Sequence, residues 1–202
     1  MRSLRFLLSV VAVSLLISGA FAGGHRLIER WKDTGRETGR FGKLLVIAIT
    51  DDYEARRNFE NKFVSQLRGI GVDGVTSHSL VAELDSVEHE EAMLRIVEDR
   101  EIDGAITVRA VPLKDLSEVE WSSAWREAVR TDSDLRTLID ETLPLPEKKA
   151  KRYGVEVALW DSASRRHIWA ARTDSYTRKE MRDGAGEFVQ FVMRALRMAE
   201  LL

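Results

Sequence analysis

Two adjacent carboxylates, Asp51 and Asp52, follow the apolar run KLLVIAIT at residues 43–50. Open α/β sheets place ligands at the carboxyl ends of their strands, and paired acids there can hold Mg²⁺ for phosphoryl transfer. Such a site also needs a phosphate-accepting Asp after a later strand and a downstream Lys. The predicted strand 104–111 instead ends in TVRAV, with Arg109 near its tip. The metal site is therefore kept as the weaker alternative.

The same two acids fit the start of a helix better. Asp51 is predicted to be the N-cap, with Glu54 three residues later in a capping-box arrangement. Acids in this position also interact favourably with the positive end of the helix dipole. One rule thus explains both the residue types and their spacing, and no metal site is predicted.

Other residue types that often carry chemistry are dispersed in the sequence. The four histidines make no metal constellation: the segment HEE at 89–91 lacks the second His of a zinc-binding helix, His25 lies in the predicted flexible lead, and His78 and His167 stand alone. The sequence contains no nucleophile-elbow pattern and no cysteine. Gly69, Gly71 and Gly74 have the spacing of a glycine-rich nucleotide-binding loop, but they follow a predicted helix and not a strand, so a helix-end turn is predicted there. The sequence therefore predicts neither an enzyme nor a cofactor.

Four residues are candidates for binding a partner. Trp121 and Trp125 lie four positions apart, and tryptophan is enriched at interaction hot spots. Arg165 and Arg166 form a basic pair at a predicted turn, where solvated loop charge is the alternative interpretation.

The elements that position these residues alternate between strand and helix. Continuous apolar runs predict buried strands, and apolar residues at three- and four-residue steps predict helices. The predicted order is strand 43–50, helix 51–71, strand 73–81, helix 86–103 and strand 104–111. This order is typical of a parallel βαβαβ core, and the predicted fold class is α/β.

A β-hairpin and a long helix extend this core. Alternating residues at 153–161 and 165–173 predict the hairpin, whose Trp160 and Trp169 are expected to cover a sheet face or pair across strands. Residues 178–202 are predicted to form one amphipathic helix.

Two segments have no sustained period in the sequence. Residues 23–42 read as a flexible lead or an edge element. Residues 112–152 contain all three prolines and read as an irregular excursion from a single domain at 43–202.

The N-terminus predicts export. Arg2 and Arg5 precede an apolar stretch, and Ala20-Phe21-Ala22 supplies the small residues of a signal-peptidase site. Cleavage after Ala22 is expected, with a retained membrane anchor as the alternative. The predicted location is the periplasm or the cell exterior, with no membrane span after cleavage. The formal charge of −2 gives no basic excess for nucleic acid.

The segments KLLVIAITDDYEARRNFENKFVSQLRGIGVDGVTSHSL, DGAITVRAV and VEVALWDSASRRHIWAARTDSY resemble a family of small, uncharacterised bacterial envelope proteins, many of them lipoproteins. The resemblance implies the small α/β domain of the TolB N-terminal domain, the curli-secretion pore subunit and lipoprotein activators of peptidoglycan synthases. It carries no catalytic residues. The chain departs from the family because Ala22-Gly23 stands where a lipobox cysteine is common.

Three functional hypotheses follow from these features. The preferred one is an exported, non-enzymatic accessory module that binds an envelope protein or glycan through the segment 112–152 and the hairpin tip. The first alternative is a periplasmic metal-dependent hydrolase or phosphotransfer-like enzyme that uses Asp51 and Asp52. The second alternative is a structural subunit of an envelope assembly. The partner and the oligomeric state are left open by the sequence.

Overall fold

The fold is built on a mixed six-stranded sheet. The structure is a computed structural model that describes residues 25–33, 41–50, 52–80, 95, 97–113 and 151–202. The strands are β1 (Leu27–Lys32), β2 (Lys43–Ile49), β3 (Asp73–Thr76), β4 (Gly104–Pro112), β5 (Tyr153–Asp161) and β6 (Arg166–Tyr176). They are arranged in the order β1-β6-β5-β4-β2-β3.

Parallel pairing is confined to one half of this sheet. Strand β2 lies between β3 and β4 and pairs in parallel with both. Strands β4, β5, β6 and β1 are antiparallel to their neighbours. The predicted α/β fold class, with a parallel core extended by a β-hairpin, is confirmed.

Three α-helices have both ends among the described residues, α1 (Tyr53–Arg68), α2 (Arg178–Asp183) and α3 (Ala185–Met198). The prediction of one helix over 178–202 is wrong, because α2 and α3 are separate and α3 ends at Met198. At the break, a Cβ on Gly184 would lie 2.9 Å from the carbonyl oxygen of Glu180, so a residue without a side chain fits there.

Strand β3 is shorter than the predicted strand 73–81. It ends at Thr76, and Ser77–Ser79 form a 3₁₀ turn. The reason is a tertiary contact, since the buried Glu60 carboxylate accepts hydrogen bonds from the Ser77 hydroxyl and the His78 amide. Of the predicted helix 86–103, residues 97–99 are helical and 102–103 are not, while 86–94 and 96 lie outside the described residues.

Apolar side chains cover both faces of the parallel strands, as the continuous run in β2 predicts. On one face, Leu44 and Val46 pack with Phe63 of α1 and Val192 of α3 in the larger core cluster. On the other face, Leu45 and Ile47 pack with Val97, Ile102 and Trp160.

The hairpin and the first strand complete the sheet. Trp160 and Trp169 are 3% and 2% exposed, and they belong to different core clusters. The prediction that they cover sheet faces is confirmed. The sequence leaves two interpretations for residues 23–42, a flexible lead or an edge element. Within this segment, Leu27–Lys32 form the edge strand β1, which pairs with β6.

Among the described residues, none of the helices has the length and apolar character needed to cross a bilayer. The predicted signal peptide, residues 1–22, lies outside those residues.

Candidate functional site

A cleft of about 280 Å³ opens at the carboxyl ends of β2 and β4. We call it the carboxyl-edge cleft; its floor includes Ala48 and Ala110, and Arg109 lies at its edge. Its position matches the general rule that open α/β sheets bind ligands beyond the carboxyl ends of parallel strands.

The cleft exists because the side chains on the helix-covered face become smaller toward this edge. The rows are Leu44, Val46 and Ala48 in β2, and Ile106, Val108 and Ala110 in β4. The first two side chains of each row belong to the larger core cluster, whereas the two alanines line the cleft. Alternation along each strand places all three members of a row on one face. The space that a Val or Leu would fill is therefore left open.

The walls of the cleft are mostly apolar. Phe59 comes from α1, Met181 from α2 and Phe188 from α3, and Tyr153 and Tyr176 face each other across β5 and β6. The rings of Phe59 and Phe188 lie 6.1 Å apart, and those of Tyr176 and Phe188 lie 6.3 Å apart. A ligand in this space would meet aromatic and aliphatic surface on several sides.

Arginines lie at the rim of these apolar walls. Arg178 donates from Nε to the Tyr153 hydroxyl at 2.9 Å, and its guanidinium lies 5.4 Å from the centre of that ring. Arg109 donates from Nε to Oε2 of Glu156, and Arg182 also lines the cleft. Guanidinium groups hold carboxylates well because their N–H groups form a planar fork.

Glu156 balances the charge of Arg109 from the neighbouring strand. Its register partners are Arg109 on β4 and Arg172 on β6, so the carboxylate lies between two arginines. Burial raises the pKa of the Glu156 carboxyl above its ordinary value, and both arginines act in the opposite direction. Because side chains alternate along β4, this row lies on the sheet face opposite Val108 and Ala110.

Two carboxylates near the cleft accept hydrogen bonds from backbone amides at helix starts. Asp52 is the N-cap of α1, and its Oδ1 accepts a hydrogen bond from the Ala55 amide at 3.0 Å. Glu180 forms a capping box with Thr177 at the start of α2, and its hydrogen bonds from Thr177 lower the pKa of its carboxyl. The prediction of a helix N-cap after β2 is correct in kind, but the predicted cap Asp51 and the capping box with Glu54 are wrong. The cap is one residue later, because α1 begins at Tyr53.

A second polar cluster lies beside the cleft, around the fully buried Glu60. Its Oε1 accepts from the Ala48 amide at 3.0 Å, from Arg56 Nε at 3.2 Å and from the Ser77 hydroxyl at 2.6 Å. His78 approaches Oε2 with Nδ1 at 2.8 Å, so the prediction that His78 stands alone is wrong. The cluster fixes α1 against the end of β2.

His25 closes the side of the cleft next to β1. Its Nδ1 lies 3.2 Å from the Tyr176 hydroxyl, and its ring contacts those of Tyr176, Phe188 and Phe191. Burial lowers the pKa of this imidazole, and Glu187 acts in the opposite direction.

Comparison with known proteins gives a limited result. No protein-family model matches the chain, and no curated protein sequence matches it. Among solved structures, a PelC dodecamer from Paraburkholderia phytofirmans is similar over 84% of this chain and 94% of that chain, with 13% identity and a TM-score of 0.43. A variant of the same PelC dodecamer covers 82% of this chain and 96% of that chain, with 12% identity and a TM-score of 0.42.

A similarity at this identity and TM-score assigns neither a family nor a function. The resemblance to bacterial envelope proteins therefore stays a prediction from the sequence.

The metal alternative at Asp51 and Asp52 gains no partner from the described part of the chain. Within those ranges, no three His, Asp or Glu side chains come together as a metal site would need. Asp51 itself lies outside them, and Asp52 is occupied as a helix cap.

Of the four predicted binding residues, the two that the structure describes lie away from the cleft. Trp121 and Trp125 lie outside the described residues, as does nearly all of the excursion 112–152. Arg165 and Arg166 lie at the hairpin turn beside Asp161, which pairs with Gly104 at the amino end of β4. The cleft is at the opposite end of that strand. Arg165 donates to Glu98 at 2.8 Å, and binding by this pair stays a prediction.

Of the residues that line the cleft, sequence reasoning singled out Asp52 as a candidate for chemistry and noted Arg109 near a strand tip, and it missed the rest as site residues. A signal for the cleft was present in the alternating positions of β2 and β4, where side-chain volume falls toward the carboxyl end. The contributions of Tyr153, Tyr176 and Arg178 had no comparable signal, because they come from distant parts of the chain.

Proposed function

We propose that this protein is an exported, non-enzymatic accessory protein of the cell envelope, and that it binds another envelope component in the carboxyl-edge cleft. Export rests on the predicted signal peptide, residues 1–22. The binding role rests on the composition of the cleft.

The observation that carries this proposal is an apolar cleft with guanidinium groups at its rim. A binding pocket is typically an apolar cavity with a few polar groups that orient the ligand, and Arg178 and Arg182 are such groups. Asp52 and Glu180 accept hydrogen bonds at helix starts and Glu156 pairs with Arg109, which gives these three acids structural roles. These observations favour binding over acid–base catalysis.

Site-specific photocross-linking tests the proposal. A photoreactive amino acid replaces Ala55, an exposed residue of the cleft, in the full chain expressed in cells that export it. The matched control places the same group at Asn61, an exposed residue of α1 that lines the groove toward α3. We expect one defined adduct in the envelope fraction from position 55. The Ala110→Leu substitution fills the cleft and should abolish this adduct.

The proposal is wrong if position 61 gives the same adduct as position 55, or if the adduct from position 55 persists unchanged when the cleft is filled. No adduct from position 55 in cells that export and fold the protein would also count against it.

A further inference from the structure

His25 lies where the first strand of the sheet meets the carboxyl-edge cleft. Its half-buried imidazole lines the cleft. The centre of this ring lies 5.4 Å from that of Tyr176, 5.6 Å from that of Phe188 and 5.9 Å from that of Phe191. These three rings belong to β6 and α3. One side chain therefore joins the amino end of β1 to two other elements and to the wall of the cleft.

Strand β1 depends on a small set of contacts. In the described sheet it is an edge strand, with β6 as its neighbour. Toward the helices, Leu27 packs against the larger core cluster, and Lys32 donates to the carbonyl oxygen of Ala199. His25 supplies the contact at the amino end. A change in its ring should therefore act on that end of β1 first.

A proton on His25 opposes this arrangement. A positive charge among three aromatic rings loses hydration, and burial accordingly lowers the pKa of the imidazole. The neutral ring can accept a hydrogen bond at Nδ1 from the Tyr176 hydroxyl, 3.2 Å away, whereas the protonated ring has N–H groups at both nitrogens and only donates. Burial raises the pKa of Tyr176 above 10.0, so this hydroxyl keeps its own proton at neutral pH.

Charged groups on the neighbouring elements also face this region. From α3, Glu187 raises the pKa of His25 and Arg194 lowers it, each by less than burial does. Arg26, next to His25 in the chain, pairs with Asp174 of β6 at 3.9 Å. The charged residues of α2 that line the same cleft are Arg178, Glu180 and Arg182. Burial is the largest influence, so the folded protein favours the neutral ring.

We propose that His25 makes the carboxyl-edge cleft sensitive to pH: when its imidazole takes up a proton, the amino end of β1 separates more readily from Tyr176 and α3, and one wall of the cleft loosens. Histidine suits such a role because its charge changes between about pH 5 and pH 8. The regulation of the cleft rests on the proposed function, since an exported protein meets the pH of its surroundings.

The direction of the effect follows from linkage. In the folded protein the pKa of His25 lies below its ordinary value of 6.5, whereas a ring released into water has the ordinary value. The attached state is therefore favoured most above pH 6.5, and this advantage is lost as the pH falls through the folded pKa. Each unit between the two pKa values makes release about tenfold more favourable at low pH.

Amide hydrogen exchange of the full chain, followed by NMR, tests the proposal. The Asp174 amide donates to the carbonyl oxygen of Arg26, next to His25. The Asp33 amide donates to that of Ile168 at the other end of β1 and is the internal control. From about pH 8 to about pH 5, the Asp174 amide should lose protection, after correction for the intrinsic exchange rate, while the Asp33 amide keeps it. NMR titration of the His25 ring gives the folded pKa, and the loss of protection should match the factor that this pKa and 6.5 predict.

Two variants change the proton-binding group and its surroundings. His25→Phe keeps an aromatic ring without a titratable nitrogen, so protection of the Asp174 amide should no longer depend on pH. Glu187→Gln removes the acid that raises the pKa of His25, so the ring should titrate at lower pH and the total loss of protection should grow. Glu54→Gln removes an exposed carboxyl of α1 and is the matched control, which should change neither value. If His25→Phe does not fold, the match between the folded pKa and the loss of protection in the wild type still decides.

Three results would overturn the proposal. The first is a folded pKa of His25 at or above 6.5. The second is no loss of protection at Asp174, an equal loss at Asp33, or a loss that persists in His25→Phe. The third is a photocross-linked adduct from position 55 that is equally strong at both pH values, because a loosened wall should weaken it at low pH. Absence of that adduct at every pH would contradict the proposed function, and the exchange data would still decide the role of His25 at β1.

Discussion

At the scale of single residues, three of the described acids near the cleft bind backbone amides and arginines. Asp52 caps α1, Glu180 binds the amide of the N-cap Thr177 at the start of α2, and Glu156 lies between Arg109 and Arg172. An acid at the end of a strand suits both a metal ligand and a helix cap, so residue type alone cannot separate the two roles. The distance from Asp52 Oδ1 to the Ala55 amide separates them, because it identifies the group to which the carboxylate binds.

Removing the cap at Asp52 should weaken the protein. Asp52→Ala leaves an amide at the start of α1 without its side-chain acceptor, and we expect a loss of about 1 kcal/mol in the free energy of unfolding. Asp52→Asn keeps an acceptor oxygen and should lose only a few tenths of that amount. Urea denaturation measures both variants. Equal losses for Ala and Asn would contradict the cap, and Mg²⁺-dependent stabilisation of the wild type that Asn abolishes would revive the metal site.

Glu156 should make stability depend on pH in a defined direction. In the folded state, the pKa of the Glu156 carboxyl lies above its ordinary value of 4.5. At a pH between the ordinary pKa and the folded pKa, the folded protein therefore binds more protons than the unfolded chain. Stability from this group is therefore fully present below pH 4.5 and is lost as the pH rises through the folded pKa. The Glu156→Gln variant lacks this titration. Its free energy of unfolding, relative to the wild type, should rise from pH 4.5 toward neutral pH.

The difference between the wild type and Glu156→Gln isolates this residue. The lowered pKa values of Glu180 and His25 have the opposite sign and act equally in both proteins. Chemical denaturation at a series of pH values gives the difference directly, with Glu54→Gln as a control for loss of an exposed carboxyl. A relative stability that falls with rising pH would show that pairing with the two arginines outweighs burial.

At the scale of elements, the strands could be predicted well and their ends could not. Residues 43–50 and 104–111 read as strands because both faces are buried, which demands a continuous apolar run. The end of β3 at Thr76 depends on Glu60, which contacts Ser77 and His78. Glu60 lies 16 positions before Thr76 in the sequence. No local pattern contains that information. The division of the last helix at Gly184 could have been read from the glycine, but the amphipathic period on both sides of it favoured one helix.

The first residue of β4 should tolerate no side chain. A Cβ at Gly104 would lie 2.4 Å from the carbonyl oxygen of Trp160 and 2.8 Å from Cε1 of Phe41. The clash with a backbone atom of the neighbouring strand cannot be relieved by rotating a side chain. We expect Gly104→Ala to lower the free energy of unfolding by about 1–3 kcal/mol, measured by thermal or urea denaturation.

Gly186 in α3 is the matched control for this substitution. A Cβ at Gly186 would meet no atom within 4 Å, and alanine is a better helix former than glycine. Gly186→Ala should therefore stabilise the protein by about 0.5–1 kcal/mol. If both alanine variants shift stability in the same direction, the close approach at Gly104 does not limit the fold.

At the scale of the whole molecule, the Glu60 cluster connects the elements that form the carboxyl-edge cleft. Strand β3 pairs with β2 only as far as Val46 and Thr76 in the described register. Beyond this point the Ala48 amide donates to Glu60 of α1 instead of to a strand. One buried carboxylate thus holds α1, the end of β2 and the 3₁₀ turn together. Arg56, which is only 3% exposed, supplies the compensating charge.

Loss of the Glu60 charge should therefore destabilise the whole molecule and disturb the cleft. Glu60→Gln leaves the Arg56 guanidinium without its carboxylate and brings an amide donor among groups that also donate. Removing one partner of a buried ion pair costs about 3–5 kcal/mol, and we expect a loss in that range by urea denaturation. The matched control is Glu54→Gln, whose partner Arg57 is exposed, and it should change stability by less than about 0.5 kcal/mol.

Native-state hydrogen exchange adds a local measurement, in which the Ala48 amide should lose protection in Glu60→Gln before the amides of Leu44 and Val46 do. Equal stability losses in the two variants, or unchanged protection of Ala48, would mean that the cluster does not fix this edge of the sheet.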